Sequence, residues 1–547
     1  MTPFLRGWRK IATFDGNLGL MLLKDFASPC SDAPYRSYAP TITNLNTHKS
    51  SSPLQGFRLE RSKNAITESL LIISISWHFE IGCSILISIE RNFEMSIIKL
   101  PPPRVTNPFA ILIKEHPTQL GEYMDYNHPL DSKGRYLHFD SFRFRVRKDI
   151  DAKLAWSVVK SARLQQLMPV LELGEPAEQC SFLYTPAMHM ATSACDQHTT
   201  TAALEWMCSN IGERQHLQYL LKDLVEDEAI SSSQLEGAAT TTKAAKALLK
   251  RTKSPRTPDE KMIIGNFKMM NYAWECRDKE LTLEMILELH QSGVEGIDDD
   301  RYHPGEFRND DSVVVEDGNG DLVHQPPPAE NLDQRLSKVI EWVNTNHTDM
   351  NSQSYIHPLV KAIIVHFIIG YEHPFHDGNG RVARALFYWY LFKSGFGGFR
   401  YIAISTLLKI APIKYGKSYL YTETDDMDLT YFIDYQCRVI ARAIRQFKKA
   451  YDDTVANMAK FNTFLYESGL YGKLSDKQRV VFNVAKSGTA QNFTITNVKE
   501  NLGCAYNTAA SALNGLVELK LFSKRKVGNE WIFTMNETNQ IVKNWKK

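Results

Sequence analysis

A proline- and glycine-rich loop between two apolar helical runs is the feature that most constrains what this chain can fold into. Residues 358–371 carry apolar side chains at helical spacing, and residues 381–393 resume that pattern after the loop. Glycines on both sides of Asn379 allow backbone N–H groups to converge. The N-terminus of the second helix adds the positive end of its dipole. The segment therefore predicts an anion-binding nest where the second helix begins.

The side chains around this loop suit a polyphosphate and its chemistry. Arg381 and Arg384 are three residues apart, so they share one face of the second helix and place two guanidinium groups beside the nest. Asp377 is a hard oxygen ligand of the kind that holds Mg²⁺ against phosphates. His373, at the end of the first helix, can act as a base near neutral pH. Each residue also has a structural explanation, such as a solvated arginine face or an ordinary turn, but the combination favours nucleotide chemistry.

Helical periodicity dominates the centre of the chain. The 547 residues leave room for three or four compact units of ~150 residues, and 43% hydrophobic with 23% charged residues exclude a mainly disordered chain. Apolar residues recur at helical spacing over 150–171, 204–230, 282–293, 329–344 and 429–455. The exception is 312–324, where two β-branched runs flank a Gly-Asn-Gly turn, and this pattern predicts a hairpin.

The last part of the chain has a different pattern. Ser475 opens a Ser-x-x-Gln capping box. Short helices are predicted at 480–485, 496–502 and 507–519, and a terminal strand pair at 521–526 and 530–535. This order indicates a winged helix-turn-helix over 471–547, where 12 Lys and Arg face 5 Asp and Glu in a chain of net charge +2. The local excess favours DNA phosphates; because 507–519 has no Arg or Lys, a protein-docking or dimerising module is the alternative.

The first part of the chain gives little structural signal. Residues 1–94 are serine-rich and lack a helical period, so we expect a poorly ordered or non-native extension rather than a domain, followed by an N-terminal helical region over 95–200. The apolar run 70–89 contains His78 and Glu80, and each ionisable group costs roughly 3 kcal/mol at a bilayer centre, so no membrane span is expected. Eight scattered cysteines without a CxxC pair predict reduced thiols and a cytoplasmic protein.

Residues 373–384 resemble the Fic family, because His-Pro-Phe-His-Asp-Gly-Asn-Gly-Arg-Val-Ala-Arg matches the motif HPFx(D/E)GNGRxxR at every specified position. The resemblance extends over about 200–455. Proteins of this family transfer AMP from ATP to a hydroxyl side chain of a target protein. The resemblance implies a mainly α fold, with an all-helical Fic core and a β-hairpin flap over 201–470, followed by the small winged-helix (α+β) domain over 471–547.

The match also implies a role for each site residue. His373 is the base that deprotonates a Ser, Thr or Tyr hydroxyl of the target, Asp377 holds Mg²⁺, and Phe375 packs under the loop. The implied nucleotide-binding residues are Gly378, Asn379, Gly380, Arg381, Val382, Ala383, Arg384 and, near the base of the nucleotide, Tyr415. The segment around Tyr415 departs from the family pattern. The hairpin corresponds to a flap in which Val313, Val314 and Val315 pin a target segment by strand addition; an ordinary surface hairpin is the alternative.

An upstream segment resembles the inhibitory element of the same family. The chain fits the pattern (S/T)xxxE(G/N) at Ser232-Ser-Gln-Leu-Glu236-Gly237, at the end of a helix expected at about 224–237. The resemblance implies that the Glu236 carboxylate pairs with Arg384 at the place where the γ-phosphate would bind, and that Ser232 orients Glu236. The expected function is therefore an autoinhibited AMP-transferase that uses ATP and Mg²⁺ on a target protein and on itself, as a monomer or a homo-oligomer. Removal of AMP from a modified target is one alternative, and a DNA-binding regulator with the Fic core as a nucleotide sensor is another.

Overall fold

The computed structural model describes residues 98–211, 226–249, 255–297, 299, 301–316, 322–349, 355–486, 491–528 and 530–545. The predicted extension over 1–94, with the apolar run 70–89, lies outside the described residues, and so does the tip of the predicted hairpin. Among the helices that are described, none has both the length and the apolar character needed to cross a membrane.

The described chain is mainly helical, with three small antiparallel sheets. The N-terminal part contains α1 (Pro108–Glu115), α2 (Leu120–Met124), α3 (Phe139–Phe142), α4 (Ala152–Leu164), β1 (Met168–Leu173) and β2 (Glu178–Phe182). The central part contains α5 (Pro186–His198), α6 (Thr201–Ile211), α7 (226–235), α8 (Thr242–Leu249), α9 (Pro258–Glu275), α10 (Leu283–Val294), β3 (Val315–Glu316), β4 (Leu322–His324), α11 (Leu332–Asn344), α12 (Pro358–Glu372), α13 (Asn379–Lys393), α14 (Ile404–Ile410), α15 (Pro412–Glu423) and α16 (Thr430–Glu467). The C-terminal part contains α17 (Asp476–Lys486), β5 (Asn492–Phe493), α18 (Ile495–Leu502), α19 (Tyr506–Glu518), β6 (Phe522–Val527), β7 (Glu530–Met535) and α20 (Thr538–Trp545).

The helices α12 and α13 lie at the centre of the largest hydrophobic core. Pro358 occupies the first turn of α12, and the His357 side chain caps that turn by accepting the N–H of Leu359. Both helices are buried over most of their length, because nearly all their side chains are apolar or paired. The motif loop therefore connects two buried helices that hold its two ends in place.

An unpredicted hairpin corrects the expectation of a purely helical region before residue 200. The helix expected over 150–171 ends at Leu164, and residues Met168–Leu173 instead form β1, which pairs with β2. Pro169 explains the change, since proline has no N–H for a helical hydrogen bond and clashes with the preceding turn. The hairpin packs into the main core through buried Leu173 and Phe182.

The C-terminal part of the chain has its own hydrophobic core. We call the segment that forms and encloses this core, residues 461–545, the C-terminal module. Its three helices α17 to α19 and its strand pair agree with the sequence prediction, whereas β5 and α20 were not predicted. The strand order is β5-β7-β6, with all pairs antiparallel. Helix α16 continues to Glu467, beyond the predicted end at 455, and its Phe461 and Leu465 belong to this core. The module therefore begins about ten residues before the expected boundary at 471, because its core is completed by the end of α16.

Candidate active site

The motif loop begins and ends in left-handed backbone. His373 caps the C-terminus of α12 with a φ of 48°, and Gly378 precedes α13 with a φ of 87°. The Asn379 amide accepts the N–H of Phe375 at 2.9 Å and donates to its carbonyl at 2.7 Å. This side chain is therefore used inside the loop, where it shapes the nest and leaves the backbone to face a ligand. Phe375 is fully buried under the loop.

Two residues that the sequence reading missed support the loop from the opposite side. The ring of His290 stacks on Phe375 at 3.8 Å, accepts the N–H of Gly305 at Nδ1 (3.3 Å) and donates from Nε2 to the Asp377 carbonyl (3.0 Å). These bonds fix one tautomer of a neutral ring, and burial lowers the pKa of His290 to about 4. Arg308 is buried and donates from Nε to the His373 carbonyl at 2.9 Å. The loop is thus held by side chains from two segments distant in sequence.

A buried ion pair fixes the end of α12. Glu372, which is fully buried, accepts Nε of Arg335 at 2.9 Å and the N–H of Gly174 at 3.1 Å. Arg335 also donates to the carbonyls of Pro328 and Glu330. Because the carboxylate and the guanidinium are both satisfied, the pair links the unpredicted β1–β2 hairpin and α11 to the residue that precedes His373.

His373 has the geometry of a neutral base. Its Nδ1 lies 3.1 Å from the carbonyl oxygen of Gly370, which can only accept, so Nδ1 carries the proton and Nε2 keeps a free lone pair. Burial lowers the pKa of His373 to about 4, although the bond to Gly370 opposes the shift. At physiological pH the ring is therefore neutral and able to take a proton.

Arg381 is a buried cation, and part of its guanidinium has no hydrogen-bond partner among the described residues. Its side chain is 0% exposed, and only Nη1 is paired, with the Gly293 carbonyl at 3.1 Å. Nε and Nη2 have no hydrogen-bond partner among the residues that the structure describes. Since an unpaired buried guanidinium is costly, the site is built to receive an anion.

Asp377 is the only carboxylate that the motif loop offers. Its Oδ1 accepts the N–H of Gly378 at 2.5 Å. No cluster of three or more His, Cys, Asp or Glu side chains that suits a metal is found within the described ranges. The donor set fits Mg²⁺, which takes one or two carboxylates and completes its shell with water and substrate phosphates.

The structure brings Glu236, Ser232 and Arg384 together. Nη2 of Arg384 lies 2.7 Å from Oε1 of Glu236, and its Nε donates to Oγ of Ser232 at 2.8 Å. Burial by itself raises the pKa of Glu236, but the Arg384 guanidinium outweighs it and holds that pKa below its usual value. The carboxylate also covers Gly380, where a Cβ would overlap Oε1. Glu236 therefore pairs with the second arginine of the motif, Arg384, and covers the backbone of the nest at Gly380.

Helix α7, which carries Glu236 at its end, is anchored by contacts that were not predicted. The buried carboxylate of Glu228 accepts the N–H of Ser405 at 2.9 Å, at the start of α14, which has no cap of its own. Asn266 donates to the Ala229 carbonyl at 2.9 Å, and Lys409 donates to Gln234 at 2.6 Å. These contacts from two neighbouring helices hold the segment in register against the loop.

The remaining predicted residues are distributed differently. Val382 and Ala383 are fully buried in the core, so only their backbone is available at the nest. The Tyr415 hydroxyl lies 2.9 Å from Nε2 of His366, and burial raises the pKa of Tyr415 although the nearby positive charge of Arg384 opposes the shift. Tyr415 therefore lies near Arg384, and its contact with a nucleotide base stays a prediction.

The hairpin is shorter than the sequence indicated. Only Val315 of the three predicted flap valines lies in a described strand; Val313 and Val314 precede β3 and have no strand pairing with any residue that the structure describes. At the other end, His324 in β4 bonds the Tyr371 carbonyl at 2.9 Å and Glu423 at 2.8 Å. The base of the hairpin is therefore fixed next to α12 and α15.

These elements define a mainly helical domain with a loop built for an anion beside a neutral histidine. Residues 280–391 match the model of the Fic/DOC family. The curated Protein adenylyltransferase Fic of Drosophila virilis is 33% identical over 117 residues, which are 21% of this chain and 21% of that protein. The protein of the same name from Nematostella vectensis is 29% identical over 132 residues, 24% of this chain and 27% of its own. The chain thus spans about a fifth to a quarter of the length of these relatives.

Solved structures also resemble the chain. A Fic family protein from Desulfovibrio desulfuricans G20 is 17% identical, with a TM-score of 0.42, covering 64% of this chain and 97% of that one. Fic-1 from C. elegans is 21% identical, with a TM-score of 0.36, covering 48% of this chain and 71% of that one.

The close approach of α9 and α10 gives a first prediction. A Cβ on Gly265 would overlap the backbone oxygen of Gly293, the same oxygen that accepts from Arg381. Gly265→Ala is expected to lower the free energy of unfolding by about 1–3 kcal/mol and to weaken ATP binding, because α10 must move away from Arg381. Thermal unfolding with and without ATP measures both effects. Gly121→Ala, where no residue of the described chain lies within 4 Å of the new Cβ, is the control and should be neutral; equal melting temperatures for the two variants would contradict the packing argument.

Proposed function

We propose that this chain is a protein adenylyltransferase that moves AMP from ATP to a Ser, Thr or Tyr hydroxyl of a target protein. The observation that carries the proposal is Arg381, a fully buried guanidinium whose Nε and Nη2 have no partner among the described residues, beside a glycine nest and a histidine whose Nδ1 carries the proton. The names of the curated relatives support the same reaction.

The proposed mechanism uses each group for one task. The nest and Arg381 bind the phosphates of ATP, and Arg384 binds the γ-phosphate when Glu236 is absent from it. Nε2 of His373 takes the proton of the target hydroxyl as its oxygen attacks the α-phosphorus. The bond from the α-phosphorus to the bridging oxygen breaks, and pyrophosphate leaves. Asp377 would hold Mg²⁺, which supplies charge neutralisation at the phosphates when it is bound.

The support around His373 fits this role. Its Nδ1–H bond to Gly370 stabilises the imidazolium that forms when Nε2 gains a proton. The bond from Arg308 to the His373 carbonyl holds the left-handed residue at the helix end. The base is therefore positioned before substrate binds, which lowers the cost of reaching a reactive geometry.

We further propose that Glu236 keeps this site inactive. Its carboxylate is paired with Arg384 and lies on Gly380, so a triphosphate would have to bind in a shifted pose. Misalignment of the α-phosphorus costs rate more than affinity. Removal of AMP from a modified target is the alternative direction of the reaction, because the Glu236 carboxylate could orient a water molecule towards the modified hydroxyl.

A cytoplasmic location is proposed with this function. Five cysteine side chains within the described part of the chain are free thiols: Cys180, Cys195, Cys276, Cys437 and Cys504. Four of them are buried, as expected for structural thiols in a reducing compartment.

Intact-mass analysis tests the reaction. The purified protein is incubated with ATP, Mg²⁺ and a cell lysate, and a gain of one AMP moiety on any chain, absent when Mg²⁺ is chelated, is the expected result. Loss of an AMP moiety from a lysate protein would reverse the direction. No change in mass of any chain, also with the Glu236→Gly variant, would overturn the proposal.

Arg381 gives the next prediction. Arg381→Ala, made in the Glu236→Gly variant so that turnover is measurable, should raise the KM for ATP on the order of 10-fold or more, because a charge-assisted contact is lost. Arg445→Ala removes an exposed arginine of α16 and is the matched control. An unchanged KM for ATP in the Arg381 variant would exclude this side chain from the phosphate site.

A further inference from the structure

The C-terminal module contains a helix-turn-helix whose second helix has a free polar face. Helix α18 ends at Leu502 and is capped by Gly503, which has a φ of 55°; α19 begins at Tyr506, so a three-residue turn joins the two helices. One face of α19 is buried in the module core. On the opposite face, Asn507 and Ser511 are exposed, and at the start of the helix Tyr506 is 54% exposed.

A basic strand lies next to this face. Lys524, Arg525 and Lys526 are exposed on β6, and no carboxylate pairs with them in the part of the chain that the structure describes. Nζ of Lys524 donates to Asn514 of α19 at 3.0 Å and lies 5.3 Å from the ring centre of Trp531 on β7. The β6–β7 ribbon and α19 therefore form one continuous surface.

We propose that this surface binds double-stranded DNA, with α19 in the major groove and the β6–β7 ribbon on the flanking phosphates. An α-helix fits the major groove, and Asn507, Ser511 and Asn514 offer the donors and acceptors that base edges require. Lys524 and Lys526 are two residues apart on β6 and so share the strand face from which Lys524 contacts α19, where they reach backbone phosphates. The absence of Arg and Lys from α19 is then no objection, because the ribbon supplies the charge.

The charge distribution favours DNA over a protein partner. Residues 471–547 hold 12 Lys and Arg against 5 Asp and Glu, whereas the whole chain has a net charge of +2. A surface that binds another protein is expected to have an apolar centre with few charged residues. Here the centre of the surface is a polar helix face with a cationic edge, which gains affinity by releasing counterions from a polyanion.

Fluorescence polarisation with the full chain tests the inference. The probe is a labelled mixed-sequence duplex of about 20 base pairs, titrated at several salt concentrations. The variant Lys524→Gln, Arg525→Gln, Lys526→Gln is compared with a control of equal charge change, Lys148→Gln, Lys268→Gln, Lys338→Gln, at exposed positions outside the module. We expect the wild type and the control to bind the duplex with the same slope of log K against log salt concentration. In the module variant this slope should be smaller by up to about three, and AMP transfer should be unchanged.

Three results of the polarisation assay would contradict DNA binding. Equal binding by the module variant and the control, no salt-dependent retention of the duplex at about 50 mM salt, or tighter binding of the matching single strand than of the duplex would each overturn the inference. The assay does not depend on nucleotide transfer, so its failure leaves the proposed enzymatic function standing, and failure of the enzymatic function leaves this inference standing.

Discussion

Loss of His373 is expected to reduce AMP transfer by a factor on the order of 10²–10⁴, because the general base is removed from the transition state. His373→Asn is the better variant for this test, since asparagine tolerates the left-handed backbone (φ 48°) that His373 adopts, and His373→Ala serves as the second variant. Both keep the loop glycines and the buried Phe375. The rate is measured in the Glu236→Gly variant, where the starting activity is high.

The pH profile gives this prediction a second readout. Burial lowers the pKa of His373 to about 4, so the base stays neutral as the pH falls towards that value. The acid limb of kcat/KM should therefore lie near pH 4 rather than near the ~6.5 of an unperturbed histidine. His128→Ala, an exposed histidine, is the control and should match the parent. Undiminished adduct formation in both His373 variants would rule out this residue as the base.

Removal of the Glu236 carboxylate is expected to raise AMP transfer, including self-modification, at least about tenfold, because the γ-phosphate can then reach Arg384 and align the α-phosphorus. Glu236→Gly frees both Arg384 and the surface over Gly380. Glu236→Gln keeps the size of the side chain without its charge. An intermediate gain in this variant would show that charge pairing and steric cover both contribute.

The same change should alter thermal stability in a nucleotide-dependent way. Without nucleotide, Glu236→Gly leaves the buried Arg384 with Ser232 as its remaining hydrogen-bond partner and should lower the melting temperature. With ATP the variant should gain more stability than the wild type, since the ligand restores an anion at Arg384. An ATP-induced shift equal to that of wild type would contradict the proposed competition between Glu236 and the γ-phosphate.

The sequence could predict those parts of the site whose residues are adjacent in the chain. The nest glycines, both arginines, Asp377 and His373 lie within twelve residues, so spacing alone places them on one loop and one helix end. The central helices at 282–293, 358–371 and 381–393 also agree with the structure to within two residues, because their apolar periodicity is strong.

What the sequence could not predict is held by distant contacts. His290 and Arg308 reach the loop only through the packing of α10 and the segment after it, and neither belongs to a local motif. Glu228 likewise gains its role from Ser405, which is 177 residues away. The β1–β2 hairpin was missed because its apolar residues continue the period of α4, although Pro169 marks the change. Tertiary packing decides these features, so no window of sequence contains them.

The most direct test of the account is transfer of label from ATP carrying the label on its α-phosphate. Wild type, Glu236→Gly and the double variant Glu236→Gly, His373→Asn are incubated with Mg²⁺, and protein-bound label is measured over time. We predict weak labelling of wild type, at least about tenfold more in Glu236→Gly, and a return to background in the double variant. Equal or lower labelling in Glu236→Gly would contradict the inhibitory role of Glu236, and full labelling of the double variant would contradict catalysis by His373.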